Sequence, residues 1–355
     1  MTQVRIVHST TYRYARPVRF TTHRVMLRPR DSHDLRLRGT RWSITPAAAS
    51  TRWAHDVFSN SVCYLDWNGI ESDSLEIVST LDLDHFPAGV DVPQETLDPG
   101  AETYPFSYPP EEFPDLARLM ERQHPDPGRA VDTWVRRFVR HDGPVHTMEL
   151  LGKITQAIKD DFTYEARDQE GTNPPAVTLA NRRGACRDFA LLMMEGVRAL
   201  GLAARFVSGY LYDDGASEAT VGGGATHAWC AVYLPGAGWV EFDPTNGLMA
   251  GRNLIRVCSA RTPEQAVPIA GGFIGGEQDS IGLTVDVTVT VGGAPAPAGP
   301  PLEAPPRNAP PSEAPPPEMP PTEAPPPEAP PQQAPPPPME TPPLQAEPVE
   351  QVAGR

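Results

Sequence analysis

A cysteine, a histidine and an aspartate stand in this sequence where they can act on one another. Cys186 sits in Gly184-Ala-Cys-Arg-Asp-Phe-Ala190, His227 in Thr226-His-Ala-Trp-Cys230, and Asp243 in Gly238-Trp-Val-Glu-Phe-Asp-Pro-Thr-Asn-Gly247. The three are 41 and 16 residues apart. Apolar residues recur at helical spacing from Cys186 to Leu200, so Cys186 opens a helix. A helix N-terminus carries roughly half a positive charge and free N–H groups, which favour thiolate over thiol. His227 falls near the start of a strand, and Asp243 at the end of the next. Two paired antiparallel strands bring such residues side by side, and a helix packed on the sheet can present the thiol to the imidazole. That is the nucleophile, base and orienting acid of covalent catalysis. Taken singly, each residue has a plainer reading: a small buried filler, a structural histidine, an Asp-Pro turn opener.

The elements that must position them follow from periodicity. Helical spacing covers Asp115 to Gln123, Arg129 to His141 and Thr147 to Asp160, with a shorter helix over Pro175 to Asn181. Gly201 stops the helix that Cys186 opens. Strands are expected over Ala204 to Tyr212, Thr226 to Leu234 and Trp239 to Phe242, with Pro235 to Gly238 turning between the last two. Leu283 to Val291 alternates as a further strand suited to a sheet edge. Helices followed by an antiparallel sheet make an α+β core.

Ahead of it, residues 1–87 read as an antiparallel β-sandwich. Val4, Ile6, His8, Thr10, Tyr12 and Tyr14 alternate with mostly polar neighbours. Strand-like runs continue over Leu35 to Thr45, Ser50 to Phe58, Ser61 to Trp67 and Leu75 to Asp84, and Asn68-Gly69 is a hairpin-type turn signal. Residues 88–110 are rich in Pro, Asp and Gly and read as a linker or irregular wrap, 111–292 as the catalytic domain, and 293–355 as a tail. The tail is proline-rich and acidic: Glu303, Glu313 and Glu323 each precede Ala-Pro-Pro. It cannot bury a core and reads as disordered, extended chain, a spacer or a ligand for a proline-recognition partner.

The segments around Cys186, His227 and Asp243, together with Arg198-Ala-Leu-Gly-Leu-Ala-Ala-Arg-Phe-Val-Ser-Gly-Tyr210, resemble the bacterial transglutaminase-like superfamily. The resemblance is strong from Thr147 to Gly247, and residues 1–87 look like the β-rich N-terminal domain that often precedes this core. It implies a papain-like core with Cys186 as nucleophile, His227 as base and Asp243 as third member. It also implies aromatic cleft residues at Tyr164 and Tyr210 beside Trp229, with the Cys186 N–H and the Tyr164 hydroxyl as oxyanion donors. Relatives often read Cys-Gln-Asp-Phe-Ala-His, where this chain has Arg187 and Leu191; the departure bears on substrate preference. The implied chemistry is a thioester formed on an amide carbonyl. Water then gives a peptidase or amidase, and an amine gives an acyl transferase. A non-catalytic binding protein with a proline-rich docking tail is the reading from another class.

Composition narrows the partners. The net charge is -15, of which the tail from Gly293, with eight Glu and two Arg, carries -6. That balance argues against nucleic acid and mildly favours a neutral or cationic peptide or protein substrate. Cys63, Cys186, Cys230 and Cys258 make neither a disulfide framework nor a CxxC metal site. His141 and His146 have no matching carboxylate helix, so neither a metal nor a cofactor is expected. With no apolar run near the roughly 18 residues that span a bilayer and no leader-like N-terminus, a cytoplasmic protein with reduced thiols is expected, away from membranes.

Overall fold

A computed structural model describes residues 1–86, 96–140, 142–167, 170–212, 226–249 and 253–292. The Gly222-Gly-Gly224 loop, His141 and the tail expected from the sequence lie outside the described residues.

Alternating residues build the first part. Strands β1 (Thr2–Phe20), β2 (His23–Arg28), β3 (Leu35–Thr45), β4 (Ser50–His55), β5 (Ser61–Asp66) and β6 (Glu71–His85) form two antiparallel layers. One layer is built on β1, β6 and β3, the other on β2, β5 and β4. Tyr14, Phe20, Val25, Leu27, Trp42, Leu65, Trp67 and Ile77 fill the space between them. Asn68 and Gly69 both take positive φ, as their turn signal predicts, but the turn carries the chain from one layer to the other and does not close a hairpin. Local turn chemistry is blind to which sheet the next strand joins.

The segment expected as a linker or wrap packs where it is described: Leu97, Ala101 and Tyr108 are buried. A two-residue strand β7 (Thr103–Tyr104) pairs with β8 (Val145–His146). Helices α1 (Phe113–Met120), α2 (Ala130–Arg136) and α3 (Thr147–Asp161) follow, α2 ending five residues before the helical spacing does. Short parallel strands β9 (Thr163–Tyr164) and β10 (Arg183–Gly184) bracket α4 (Pro175–Asn181) and lead into α5 (Cys186–Ala199). The second sheet region comprises β11 (Ala204–Leu211), β12 (His227–Leu234), β13 (Gly238–Asp243), β14 (Leu248–Met249) and β15 (Leu254–Ala260), ordered β14-β13-β12-β11-β15 and antiparallel throughout. The fold is α+β.

Helix α5 is the centre of this core. It is apolar nearly all round because it is covered on all sides, by α2, α3 and α4 and by the sheet beneath. Two of its buried charges, Glu195 and Arg198, pair at 2.9 Å, and Arg198 also donates to the carbonyls of Ala204 and Arg261 at 2.8 Å. A buried charge is tolerated only when its donors are met in this way.

After the core, β16 (Ile269–Ala270) pairs with β2, while β17 (Phe273–Ile274) and β18 (Ser280–Val291) both pair with β1. The strand expected over Leu283 to Val291 is therefore an edge of the first sheet, although its sequence position placed it with the core. The inner face of the long strands β1, β3 and β6 extends beyond the sandwich and rests on the core. There Val4, Ile6, Leu35, Leu81 and Leu83 meet Tyr210, Tyr212, Ile255 and Val257. Among the described residues no helix is long and apolar enough to cross a membrane.

Candidate active site

Local sequence sets each of the three residues in place. Cys186 is the first residue of α5, with Ala185 extended at the cap. Asp188, three residues past the cap, turns back to accept the Ala185 N–H at 2.9 Å, one half of a capping box. Its side chain folds over Gly184, where a Cβ would lie 2.9 Å from the Asp188 Cβ, so a glycine is needed there. The pairing of Gly184 with Tyr164 sets the tyrosine strand beside the helix start.

His227 opens β12 opposite Gly209, and Asp243 closes β13 one residue past Phe242, which is opposite Cys230. Hairpin register thus brings the two together: His227 Nε2 and Asp243 Oδ2 are 2.8 Å apart. Asp243 is held in turn by the Thr245 N–H at 2.9 Å and by Asn246 Nδ2 at 2.8 Å. Trp229 stacks on the imidazole, with ring centres 5.9 Å apart and planes 29° from parallel. Gly209 makes room for that indole: a Cβ there would come within 2.9 Å of it and 2.0 Å of the Ile255 carbonyl.

Asp243 and His227 are fully buried, and Cys186 retains 8% exposure, so it is the most exposed residue of the three. Electrostatics separate this thiol from the rest. Burial pushes Cys63 and Cys230 up to about 12 and Cys258 up to about 11. Burial also acts upward on Cys186, but the His227 imidazole and the Ala228 N–H outweigh it and hold the thiol below its ordinary value. Burial lowers His227, yet the charge and hydrogen bond of Asp243, with a contribution from Cys186, raise it overall. Burial raises Asp243, and His227, Asn246 and Thr245 more than offset that. His227 Nδ1, the nitrogen not used by Asp243, is buried with no hydrogen bond of its own. It is the nitrogen left for the thiol. Each shift favours the charged form of its group, thiolate for Cys186 and imidazolium for His227.

The cleft aromatics divide. Tyr164 is half-buried on the strand paired beside the helix start, and its hydroxyl is raised by burial and then by the Cys186 charge. Trp229 is a wall of the imidazole, fully covered. Tyr210 is a correction: it faces away from the site, its hydroxyl meeting His8 Nδ1 of β1 at 2.9 Å. Along β11 Tyr210 falls on the face that the first sheet covers, and Tyr212, just past the strand, does the same with His85 at 3.0 Å.

Two further residues carry weight at the site: Asn246, not singled out from the sequence, and Asp188, whose place in the first turn of the helix pointed only to a cap. Asn246 completes the Asp243 turn; the Asp-Pro-Thr-Asn run was its signal. Asp188 binds more than the cap: it accepts the Asn173 N–H at 2.7 Å and Arg167 Nη2 at 2.9 Å. Arg187 donates to the carbonyls of Gly171 and Arg167 at 2.7 and 2.8 Å. The first turn of α5 thereby holds the loop that follows Tyr164. Among the described residues no group of three His, Cys, Asp or Glu is placed to hold a metal ion.

Comparison with known proteins agrees with this architecture. Residues 4–84 match the bacterial transglutaminase-like N-terminal region, and residues 132–244 match the transglutaminase-like superfamily. An uncharacterized protein of Mycobacterium tuberculosis is 29% identical over 299 residues, covering 81% of this chain and 91% of that protein. One from Mycobacterium leprae is 25% identical over 298 residues, covering 81% and 99%. The crystal structure of a candidate cysteine protease from Cytophaga hutchinsonii shares the fold, with a TM-score of 0.62 at 17% identity over 84% of this chain and 93% of that one. With both regions in the expected order and the cysteine, histidine and aspartate inside or at the end of the second, the chain belongs to the transglutaminase-like superfamily, its core preceded by the bacterial N-terminal region.

Proposed function

We propose that the protein is a thiol-dependent hydrolase of peptide or amide bonds, with Cys186, His227 and Asp243 as its catalytic residues. The observation that carries this reading is geometric: Cys186 opens α5, and His227 pairs with Asp243 through Nε2 at 2.8 Å while its buried Nδ1 has no hydrogen bond. The thiol held low and the imidazole held high agree with it. A structural cysteine has no need of either. The likeness to a candidate cysteine protease supports the same chemistry.

The Cys186 thiolate attacks the carbonyl carbon, and the oxygen takes the negative charge. The N–H of Cys186 in the first turn of α5 and the Tyr164 hydroxyl are the donors proposed for that oxyanion. As the intermediate collapses the C–N bond breaks, His227 delivers its proton to the leaving amine, and a thioester remains on Cys186. Neutral His227 then takes a proton from water, whose oxygen attacks the thioester. The acid leaves, and thiolate and imidazolium are restored. Asp243 keeps the proton on Nε2 and leaves Nδ1 for these transfers. An amine in place of water would give transamidation; the same thioester serves both.

The test is the pH profile of Cys186 alkylation by iodoacetamide, with the adduct mapped by mass spectrometry. The unmodified protein should react at Cys186 alone, with an apparent pKa below that of a free thiol. His227→Ala removes the imidazolium that favours the thiolate, so the profile should move up, toward ~8.5. Asp243→Asn should move it by less, since the base remains. Preferential labelling of Cys63, Cys230 or Cys258, or folded variants with unmoved profiles, would overturn the assignment. Mass analysis of acylated Cys186 with and without added amine separates hydrolysis from transfer.

A further inference from the structure

We propose that the outer edge of β18 is a dimerisation surface, on which a second copy of this chain pairs strand to strand. Among the described residues β18 has one neighbour, β1, and no strand lies on its other side. Its register is regular from Leu283 to Val291, opposite Tyr12 to Val4. Residues directly opposite share a face, so Leu283, Val285, Val287, Val289 and Val291 lie on the face where Val4, Ile6, His8 and Thr10 are buried. That apolar row begins inside the contact between the first sheet and the core, where Val287 and Val289 are packed. It then runs out from under cover: Val285 is 37% exposed, Leu283 47% and Val291 43%. A row continuous with a buried interface is left half in water.

Edge strands are ordinarily guarded by lysine, proline, a bulge or brevity. From Leu283 to Val291 this one has none of these, and Asp286 is its one charge. The occupant that fits is another β18. In an antiparallel pair with its two-fold axis at Val287, Leu283 falls opposite the partner's Val291 and Val285 opposite the partner's Val289. Thr284 meets the partner's Thr290. Asp286 meets the partner's Thr288, a hydroxyl donor, and so avoids the partner's carboxylate. Every opposite pair then matches in kind, and the interface is isologous and closed, with both outer edges satisfied at once. The chain's own tail is a poorer occupant: Pro295, Pro297, Pro300 and Pro301 follow directly and lack the N–H a ladder requires.

The full-length chain, kept reduced, tests this by sedimentation over roughly 1 to 100 μM together with hydrogen exchange at both ends of that range. The mass should rise from one chain to two, and the amides of 283–291 should exchange at least about ten-fold more slowly at high concentration. The double variant Leu283→Lys, Val285→Lys should weaken association by at least about ten-fold, with Cys186 alkylation unchanged. A chain that stays monomeric at the top concentration overturns the proposal, as does a dimer indifferent to both lysines. Edge amides protected equally at every concentration in a monomer also overturn it, and would assign the edge to the tail. The exchange measurement on the unmodified chain holds whether or not the lysine variant folds.

Discussion

Asp188→Asn is a small change with a calculable cost. The Asp188 side chain has no exposed surface and accepts from the Ala185 N–H, the Asn173 N–H and Arg167 Nη2 at 2.9, 2.7 and 2.9 Å. Asparagine keeps one oxygen, which can still serve Asn173 and Arg167. Its NH2 then faces the Ala185 N–H, a buried donor left with no acceptor, at about 1–3 kcal/mol. Losing the charge on the Arg167 pair adds roughly 1–2 kcal/mol. A total near 3 kcal/mol, at about 2 °C per kcal/mol for a folded part of this size, lowers Tm by about 6 °C. Because the lost cap lies next to Cys186, the same variant should slow iodoacetamide alkylation at fixed pH while the circular dichroism stays native. Calorimetry and alkylation on one preparation measure both. A Tm within about 2 °C of the parent, with an unchanged rate, would show that this carboxylate neither caps the helix nor holds the thiol in place.

Gly209→Ala should cost more than about 3 kcal/mol, since its Cβ would collide with the Ile255 carbonyl at 2.0 Å and force β11 from β15; a soluble variant with parental Tm would refute the register. Removing the residues after Gly293 should leave Tm within about 2 °C and alkylation unaltered, because a Pro-Glu repeat offers no apolar face to dock. A larger fall in the calorimeter would mean that the tail packs on the folded part.

What the sequence makes legible here is whatever depends on near neighbours. Period-2 alternation located β1, β3 and β6, and period-3.6 spacing located α3 and α5, because burial of one face is imposed residue by residue. The Cys186 helix start and the β12–β13 hairpin are also local, so the cysteine, histidine and aspartate could be lined up before any coordinates. Ends were less legible: α2 stops at Arg136, while Phe138 and Val139 keep helical spacing in a turn beyond it.

Parity along a strand says that one face is covered and leaves open by what. Tyr210 and Trp229 both read as strand positions, yet one meets His8 of the first sheet and the other stacks on the His227 imidazole. The same gap put Leu283 to Val291 with the core and made Asn68-Gly69 a hairpin. In each case the missing term is a contact between residues up to hundreds of positions apart, such as His8 with Tyr210, that no window along the chain contains. Asp188 shows the converse. Its helix-start position announced a cap, a local role, but the same carboxylate also holds Arg167 and Asn173, because a buried oxygen in that place must find every donor within reach. A residue with a clear local role is therefore where a second, long-range role is easiest to overlook, and at this site that residue stands two positions from the thiol.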